Sequence, residues 1–171
     1  MTSPPNEVEL SAERWLPVAP DRIWAQCTTK QGLESWWSPE DLRTTVKRID
    51  PRAGGELVLA VRYVPAMLGQ RREDAFRAAG VPISFALKGT FVALEPKRKI
   101  IFALTLSIDR TETGIETVTE LDFHPQEDGT HVRLHVRGTS EPHMLAQGKA
   151  NIEGQLERLA RSLGVEASRM P

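Results

Sequence analysis

One stretch of the sequence decides the fold: WAQCTTKQGLESWWSP, residues 24–39. It contains three of the four tryptophans of the 171-residue chain. Just upstream stands Pro20, a residue type that often begins a helix, and Ile23, Trp24 and Cys27 recur at helical spacing. The pattern predicts a first helix that runs from Pro20 to about Thr29.

The second half of this stretch predicts another short helix, which carries Leu33, Trp36 and Trp37 and is limited by Pro39. Two adjacent tryptophans on a helix cannot point the same way. We interpret Trp24 and Trp36 as core residues beneath the two helices. For Trp37 two interpretations stay open, a core position and a wall of a ligand site, because an indole offers flat apolar area and one donor.

Much of the remaining chain alternates between polar and apolar residues, which is the period of half-buried strands. The first such segment covers residues 7–13, and the alternation breaks between Arg14 and Val18, where we expect a bulge. From Thr44 onward a hairpin is predicted around the turn-forming residues 50–55. The further predicted strands are Ile83–Leu94, Lys99–Ile108, Glu116–Phe123 and Thr130–Arg137.

Two more helices are predicted. Residues 64–82 form an excursion between strands, and its centre, residues 71–79, favours a short helix that Gly80 would end. The last helix begins near Ser140-Glu141-Pro142 and stops at Gly164. Its apolar stripe consists of Leu145, Ile152, Leu156, Leu159 and Leu163.

This order of elements predicts an α+β fold. Consecutive strands joined by short turns imply an antiparallel, curved sheet of about seven strands, and the long C-terminal helix must bury its stripe against that sheet. A twisted sheet wrapped around one helix leaves a gap where the two diverge, which is a natural ligand pocket. We expect one domain over residues 7–164, with flexible tails at 1–6 and 165–171.

Composition excludes several classes of function. The net charge is −1, with 22 Lys and Arg interspersed among 23 Asp and Glu, so we expect neither nucleic acid nor a membrane as a partner. A single cysteine, Cys27, excludes an internal disulfide and is interpreted as a core residue. The absence of a signal-peptide pattern and of a long apolar run predicts a cytoplasmic protein.

The chain resembles the START-like superfamily, also called SRPBCC or helix-grip, and most closely the branch named after the activator of the heat-shock protein 90 ATPase. The resemblance rests on Ala19-Pro20, on Trp36-Trp37-Ser38-Pro39 and on Asp50-Pro51-Arg52-Ala53-Gly54-Gly55. It implies the helix-grip fold with an internal cavity. One departure is that Gly148 is followed by Lys149 where members commonly have a Gly-Trp pair, which predicts a more open or more polar wall.

The candidate ligand-binding residues lie on the inward phase of the strands and on the facing helices. They are Trp37, Leu59, Tyr63, Phe85, Phe91, Phe102, Thr119, Leu121, Leu134, Ile152 and Leu156. Most of them also suit a plain core. Tyr63 and Thr119 are the polar exceptions, because a hydroxyl on an apolar wall needs a partner in the protein, in water or in a ligand.

No catalytic motif, metal site or cofactor site is predicted. His131 and His135 are four residues apart on a strand, about 13 Å, which is too far to share a metal ion. With Arg133 and Arg137 they are expected on the solvated face of the sheet. Oligomeric state is not predictable.

Three functions therefore stay open. The leading hypothesis is binding of a small hydrophobic or aromatic molecule between the sheet and the C-terminal helix. The resemblance also implies a protein-interaction module that contacts a chaperone or another protein, or an enzyme similar to polyketide cyclases and aromatases.

Overall fold

The computed structural model describes residues 7–64, 70–79, 83–139 and 142–169. In chain order its elements are β1 (Glu7–Leu16), α1 (Pro20–Thr28), α2 (Lys30–Trp36), β2 (Leu42–Ile49), β3 (Glu56–Tyr63), α3 (Gln70–Ala78), β4 (Ser84–Glu95), β5 (Lys99–Ile108), β6 (Thr111–Gln126), β7 (Gly129–Thr139) and α4 (Pro142–Ser162). The predicted order of strands and helices is confirmed. Gly80, the predicted end of α3, lies outside the described residues.

The seven strands form one antiparallel sheet in the order β1-β7-β6-β5-β4-β3-β2. Neighbouring strands follow one another along the chain except at β1, which pairs with β7. We call the face that carries Leu59, Phe102 and Leu134 the inner face, because these residues pack with those of the helices in one apolar core. The opposite side is the outer face. The α+β helix-grip architecture expected from the sequence is confirmed.

A tight contact between α1 and α2 fixes the tryptophan-rich segment, residues 24–39. The hydroxyl of Thr29 accepts a hydrogen bond from the N–H of Gly32 and so caps the start of α2. A side chain at Gly32 would meet the Gln26 carbonyl oxygen at 2.5 Å. Glycine is therefore required where α2 crosses close to the backbone of α1.

Helix α4 lies across β1 and α2, with Ile152, Leu156 and Leu159 buried. It ends where predicted, since Gly164 takes a left-handed φ of 74°. Beyond it, Ser168 pairs with Trp15 of β1 through two backbone hydrogen bonds of 2.8 and 2.9 Å. The second half of α4 is thereby held against the sheet on one side and against α2 on the other.

The predicted bulge between Arg14 and Val18 is wrong. Strand β1 pairs with β7 without a register shift from Glu7 to Leu16. Arg14 occupies an inward position in this strand and is only 8% exposed, where its guanidinium binds Glu157 at 2.9 Å and Glu153 at 3.8 Å. A charged residue on the apolar phase broke the sequence pattern but not the strand.

Strand β6 is longer than predicted. It begins at Thr111, within the stretch from Asp109 to Gly114 where the sequence predicts a turn between the strands Lys99–Ile108 and Glu116–Phe123. The turn is confined to Asp109 and Arg110, which take positive φ angles of 49° and 66°. Gly114, the residue that suggested the turn, lies within the strand.

Candidate functional site

The inner face of the sheet is tightly packed over its half nearest α1 and α2. Leu59, Phe91 and Phe102 are 0–1% exposed, and the Phe91 and Phe102 rings meet edge to face with centroids 6.3 Å apart. Leu121 and Leu134 complete this layer and are buried to the same degree. These predicted ligand residues stand in a closed core, together with Ile152 and Leu156 of α4.

The other half of the inner face is not closed. Leu87 pairs with Leu106 across β4 and β5, and both keep solvent-accessible surface although they share the face of fully buried Leu59. Thr117 on β6 and Val136 on β7 are likewise only partly buried. An inward-facing apolar side chain that keeps accessible surface is not fully packed. The packing thus loosens toward the end of the sheet at which β3 ends and β4 begins.

The N-terminal half of α4 approaches this end of the sheet at β1. Gly148 lies so close to Leu10 of β1 that an added Cβ would meet Leu10 Cδ1 at 2.5 Å. Leu10 itself is opposite Val136 and is only partly buried. Lys149, the residue that replaces the usual tryptophan, is exposed, so its charge is turned toward solvent.

The tryptophans separate the closed core from its surroundings. Trp36 is 1% exposed, and its indole N–H donates to the Gln26 carbonyl at 2.9 Å, which confirms its core role. Trp24 packs edge to face on Phe123. Trp37 is partly buried and contacts Phe102, with ring centroids 5.4 Å apart.

Two side chains of α4 fix the backbone at this point. Arg158 Nε donates to the Trp36 carbonyl at 3.1 Å, and Gln155 donates to the Trp37 carbonyl at 3.1 Å. Burial lowers the pKa of the Arg158 guanidinium from its ordinary value. These bonds satisfy carbonyls that the end of α2 leaves without helical partners.

Of the polar candidates, Thr119 is 8% exposed on the inner face beside Phe102 and Val136. Tyr63 and Phe85 occupy neighbouring strands at the loosened end of the sheet. Both also line a cleft of about 770 Å³ at that end, most of whose other residues belong to the outer face. The structure thus brings Tyr63 and Phe85 together and places the other predicted residues in or beside the core.

Sequence reasoning missed the partly buried inner residues Leu10, Leu87, Leu106 and Thr117. The signal was present for Leu87, Leu106 and Thr117, because each shares the inward phase of a strand with a predicted residue, whereas β1 carried no predicted site residue beside Leu10. Alternation gives the face of a side chain, however, and not its depth. The same reasoning missed Arg14 with Glu153 and Glu157, whose only sequence signal was a break in that alternation.

The pKa values of two groups, Cys27 in α1 and Glu34 in α2, are shifted by their surroundings. Burial raises the pKa of the Cys27 thiol far above its ordinary value, in agreement with its interpretation as a core residue. The Val46 backbone N–H donates to the Glu34 carboxylate at 2.8 Å and lowers its pKa, burial opposes this, and Lys30 at 3.2 Å lowers it further. Glu34 thereby ties α2 to β2.

The histidines of β7 lie on the predicted outer face, but His135 is only 9% exposed and so is not solvated. His135 Nε2 is 2.6 Å from Glu9, and His131 Nε2 is 3.2 Å from Glu13, so both are engaged with carboxylates of β1. Within the described ranges no cluster of His, Cys, Asp and Glu is suited to hold a metal ion. Of the helices in those ranges, none combines the length and apolarity needed to span a bilayer.

A seven-stranded antiparallel sheet closed on one side by two short helices and a long C-terminal helix defines a START-like domain of the helix-grip class. Residues 17–164 match the family described as activator of Hsp90 ATPase homolog 1-like protein. Because the match spans most of the chain, the protein belongs to this family.

Solved structures agree on the fold. A protein from Chromobacterium violaceum is 18% identical, with a TM-score of 0.72 over 92% of this chain and 96% of its own. The AHSA1 protein from Silicibacter pomeroyi is 20% identical, with a TM-score of 0.71 over 92% of this chain and 98% of its own. A protein from Rhizobium loti is 22% identical, with a TM-score of 0.68 over 93% and 99%. No curated protein matches the sequence.

Proposed function

We propose that this protein binds a small hydrophobic or aromatic molecule between the sheet and the N-terminal half of α4. One observation carries the proposal: inward-facing apolar residues at this end of the sheet keep accessible surface, whereas their neighbours along the same strands are fully buried. Leu106 is partly exposed, for example, while Leu104 and Phe102 of the same strand are 3% and 1% exposed. Side chains that are apolar and incompletely packed are the lining that apolar ligands require.

The chemistry of the surrounding residues fits such a ligand. Leu10, Leu87 and Val136 supply aliphatic contacts, and Phe85 supplies an aromatic one, from strands β1, β4 and β7 of one face. Thr117 and Thr119 are neighbours on the inward phase of β6 and supply hydroxyl groups that fix orientation. Trp37 stands at the border with the closed core and is proposed as its aromatic wall.

The name of the family suggests a second function, contact with a chaperone. A protein-binding surface is expected to expose apolar area. Among the residues that the structure describes, Val92 is the one large hydrophobic side chain that is strongly exposed, at 53%. The contrast with the loosened inner face favours small-molecule binding over the chaperone contact.

The test combines detection of a ligand with a variant that fills the space. Native mass spectrometry of freshly purified protein is expected to detect a bound small molecule, and the neutral fluorescent probe N-phenyl-1-naphthylamine is expected to bind after its removal. Val136→Phe places a larger side chain into the gap and is expected to abolish probe binding without loss of stability. Val92→Phe enlarges an exposed side chain on the same sheet and is the matched control, with probe binding unchanged.

The stability of Val136→Phe tests the proposed ligand space independently of the probe. If the region is solidly packed, the larger ring must overpack it, which costs about 1–3 kcal/mol. A destabilised Val136→Phe protein together with no probe binding by the wild type would refute the proposal.

A further inference from the structure

The outer face of the sheet carries a cleft that the proposed ligand space does not use. Its volume is about 770 Å³, and β2, β3, β4, β5 and the turn between β5 and β6 all contribute to it. Its charged residues are Arg43, Lys47, Arg62, Lys88 and Arg110, with Asp109 as the single carboxylate. We call it the basic cleft.

Strand register explains why these cations meet. Arg43 is opposite Arg62 in the β2–β3 pair, and Arg62 is opposite Ser84 in the β3–β4 pair. Ala60 and Ala86 form the next cross-strand pair, so short side chains lie beside long cationic ones. The result is a concave surface with charged walls.

The cations of the basic cleft have little compensation from carboxylates, although the charge of Lys47 does help to lower the pKa of Glu34. Within the described parts of the chain, none of the five forms an ion pair. Other cations of the outer face do have carboxylate partners: Lys99 binds Glu120 at 3.2 Å and Asp122 at 3.6 Å, and Arg48 binds Glu56 at 3.0 Å. A protein with a net charge of −1 thus concentrates positive potential in one concave place.

Arg43 and Arg62 place two positive charges directly opposite each other on neighbouring strands. Like charges directly opposite each other on a sheet are destabilising. Both side chains are exposed, and the ladder holds their backbones in register. An anion between two guanidinium groups turns this repulsion into attraction, and guanidinium forks match the oxygens of a phosphate group.

We propose that the basic cleft binds a small organic phosphate, held by Arg43 and Arg62 with Lys47, Lys88 and Arg110 around it. The Ser84 hydroxyl donates to the same group, and Tyr63 at the rim contacts the apolar body of the molecule. The volume lies in the usual range for small-molecule sites. A long polyanion fits less well, because beyond the cleft the same face presents Glu120 and Asp122.

The experiment compares phenyl phosphate with phenol by isothermal titration calorimetry at low ionic strength, with amide NMR shifts to locate the site. Phenyl phosphate is expected to bind one to one and to shift the amides of Arg62 and Ser84, and phenol is not. Arg43→Gln and Arg62→Gln are each expected to weaken binding by about tenfold or more, the loss of a charged hydrogen bond. Arg137→Gln removes an exposed arginine of the same face outside the cleft and is expected to change nothing.

Three outcomes would overturn the proposal. They are equal binding of phenol and phenyl phosphate, an equal effect of Arg137→Gln, and saturable binding of only an oligonucleotide or a glutamate-rich peptide. Removal of either arginine relieves repulsion, so misfolding is not expected, and a melting curve checks this. Binding of N-phenyl-1-naphthylamine is expected to be unchanged in Arg62→Gln, which keeps the outcome separate from that of the inner site.

Discussion

Replacing one side of the Arg14 ion pairs with apolar side chains is expected to cost stability in both directions, but far more when the carboxylates are removed than when the arginine is. Arg14 is 8% exposed in its pairs with Glu153 and Glu157, which are 31% and 44% exposed. Arg14→Met leaves two carboxylates that water already reaches, so the free energy of unfolding is expected to fall by no more than about 1 kcal/mol. The double variant Glu153→Met/Glu157→Met instead leaves a buried guanidinium without a carboxylate, which costs about 3–5 kcal/mol.

The triple variant, with methionine at all three positions, tests whether the loss of stability in the double variant comes from the unpaired guanidinium of Arg14. Because an apolar cluster of similar volume replaces the ionic one, its stability is expected to return to within about 1 kcal/mol of the wild type. Urea unfolding gives the free energies, and for a chain of this size the double variant is expected to melt roughly 6–20 °C lower. A triple variant no more stable than the double variant, or an Arg14→Met loss larger than that of the double variant, would refute the reasoning.

Two further predictions concern Glu34 of α2 and the glycines of β4 and α4. The pKa of Glu34 is lowered in the folded protein, so its contribution to stability is present above about pH 4.5 and is lost as the pH falls through the folded-state pKa. The difference in free energy of unfolding between the wild type and Glu34→Gln is therefore expected to shrink in acid. Urea unfolding across pH measures this difference. A difference that does not depend on pH would contradict this. Gly89→Ala places a Cβ 1.7 Å from the Ala103 carbonyl oxygen and is expected to cost at least about 2 kcal/mol. Gly154→Ala meets only the flexible Arg158 side chain at 3.0 Å and is expected to stabilise α4 by up to about 1 kcal/mol, so melting shifts of the same sign in the two variants would refute the packing argument.

The sequence predicted those elements whose local pattern and global role agree. Strand β5 was predicted with its observed bounds, Lys99 to Ile108, because apolar alternation and flanking turn residues both mark it. The stop of α4 at Gly164 followed for the same reason. Prediction failed at Arg14 and at residues 109–114, where a tertiary ion pair and the left-handed conformations of Asp109 and Arg110 outweighed local preference.

The site was less predictable than the fold, for a physical reason. Alternation predicted the faces of Phe102 and Leu134 but not that the packing closes around them and loosens around Leu106. The basic cleft left no local signal at all, since Arg43, Arg62 and Lys88 are far apart along the chain and meet only through strand register.

The pairing of Ser168 with Trp15 has a consequence for association between molecules. Strand β1 is one of the two edges of an open sheet, and an edge offers unpaired backbone groups to any other strand. Ser168 occupies those groups at one end of β1. Toward the other end Glu7 and Glu9 carry charge on the exposed phase, so a second β1 would meet its own carboxylates. The residues beyond the last helix thus disfavour edge-to-edge aggregation.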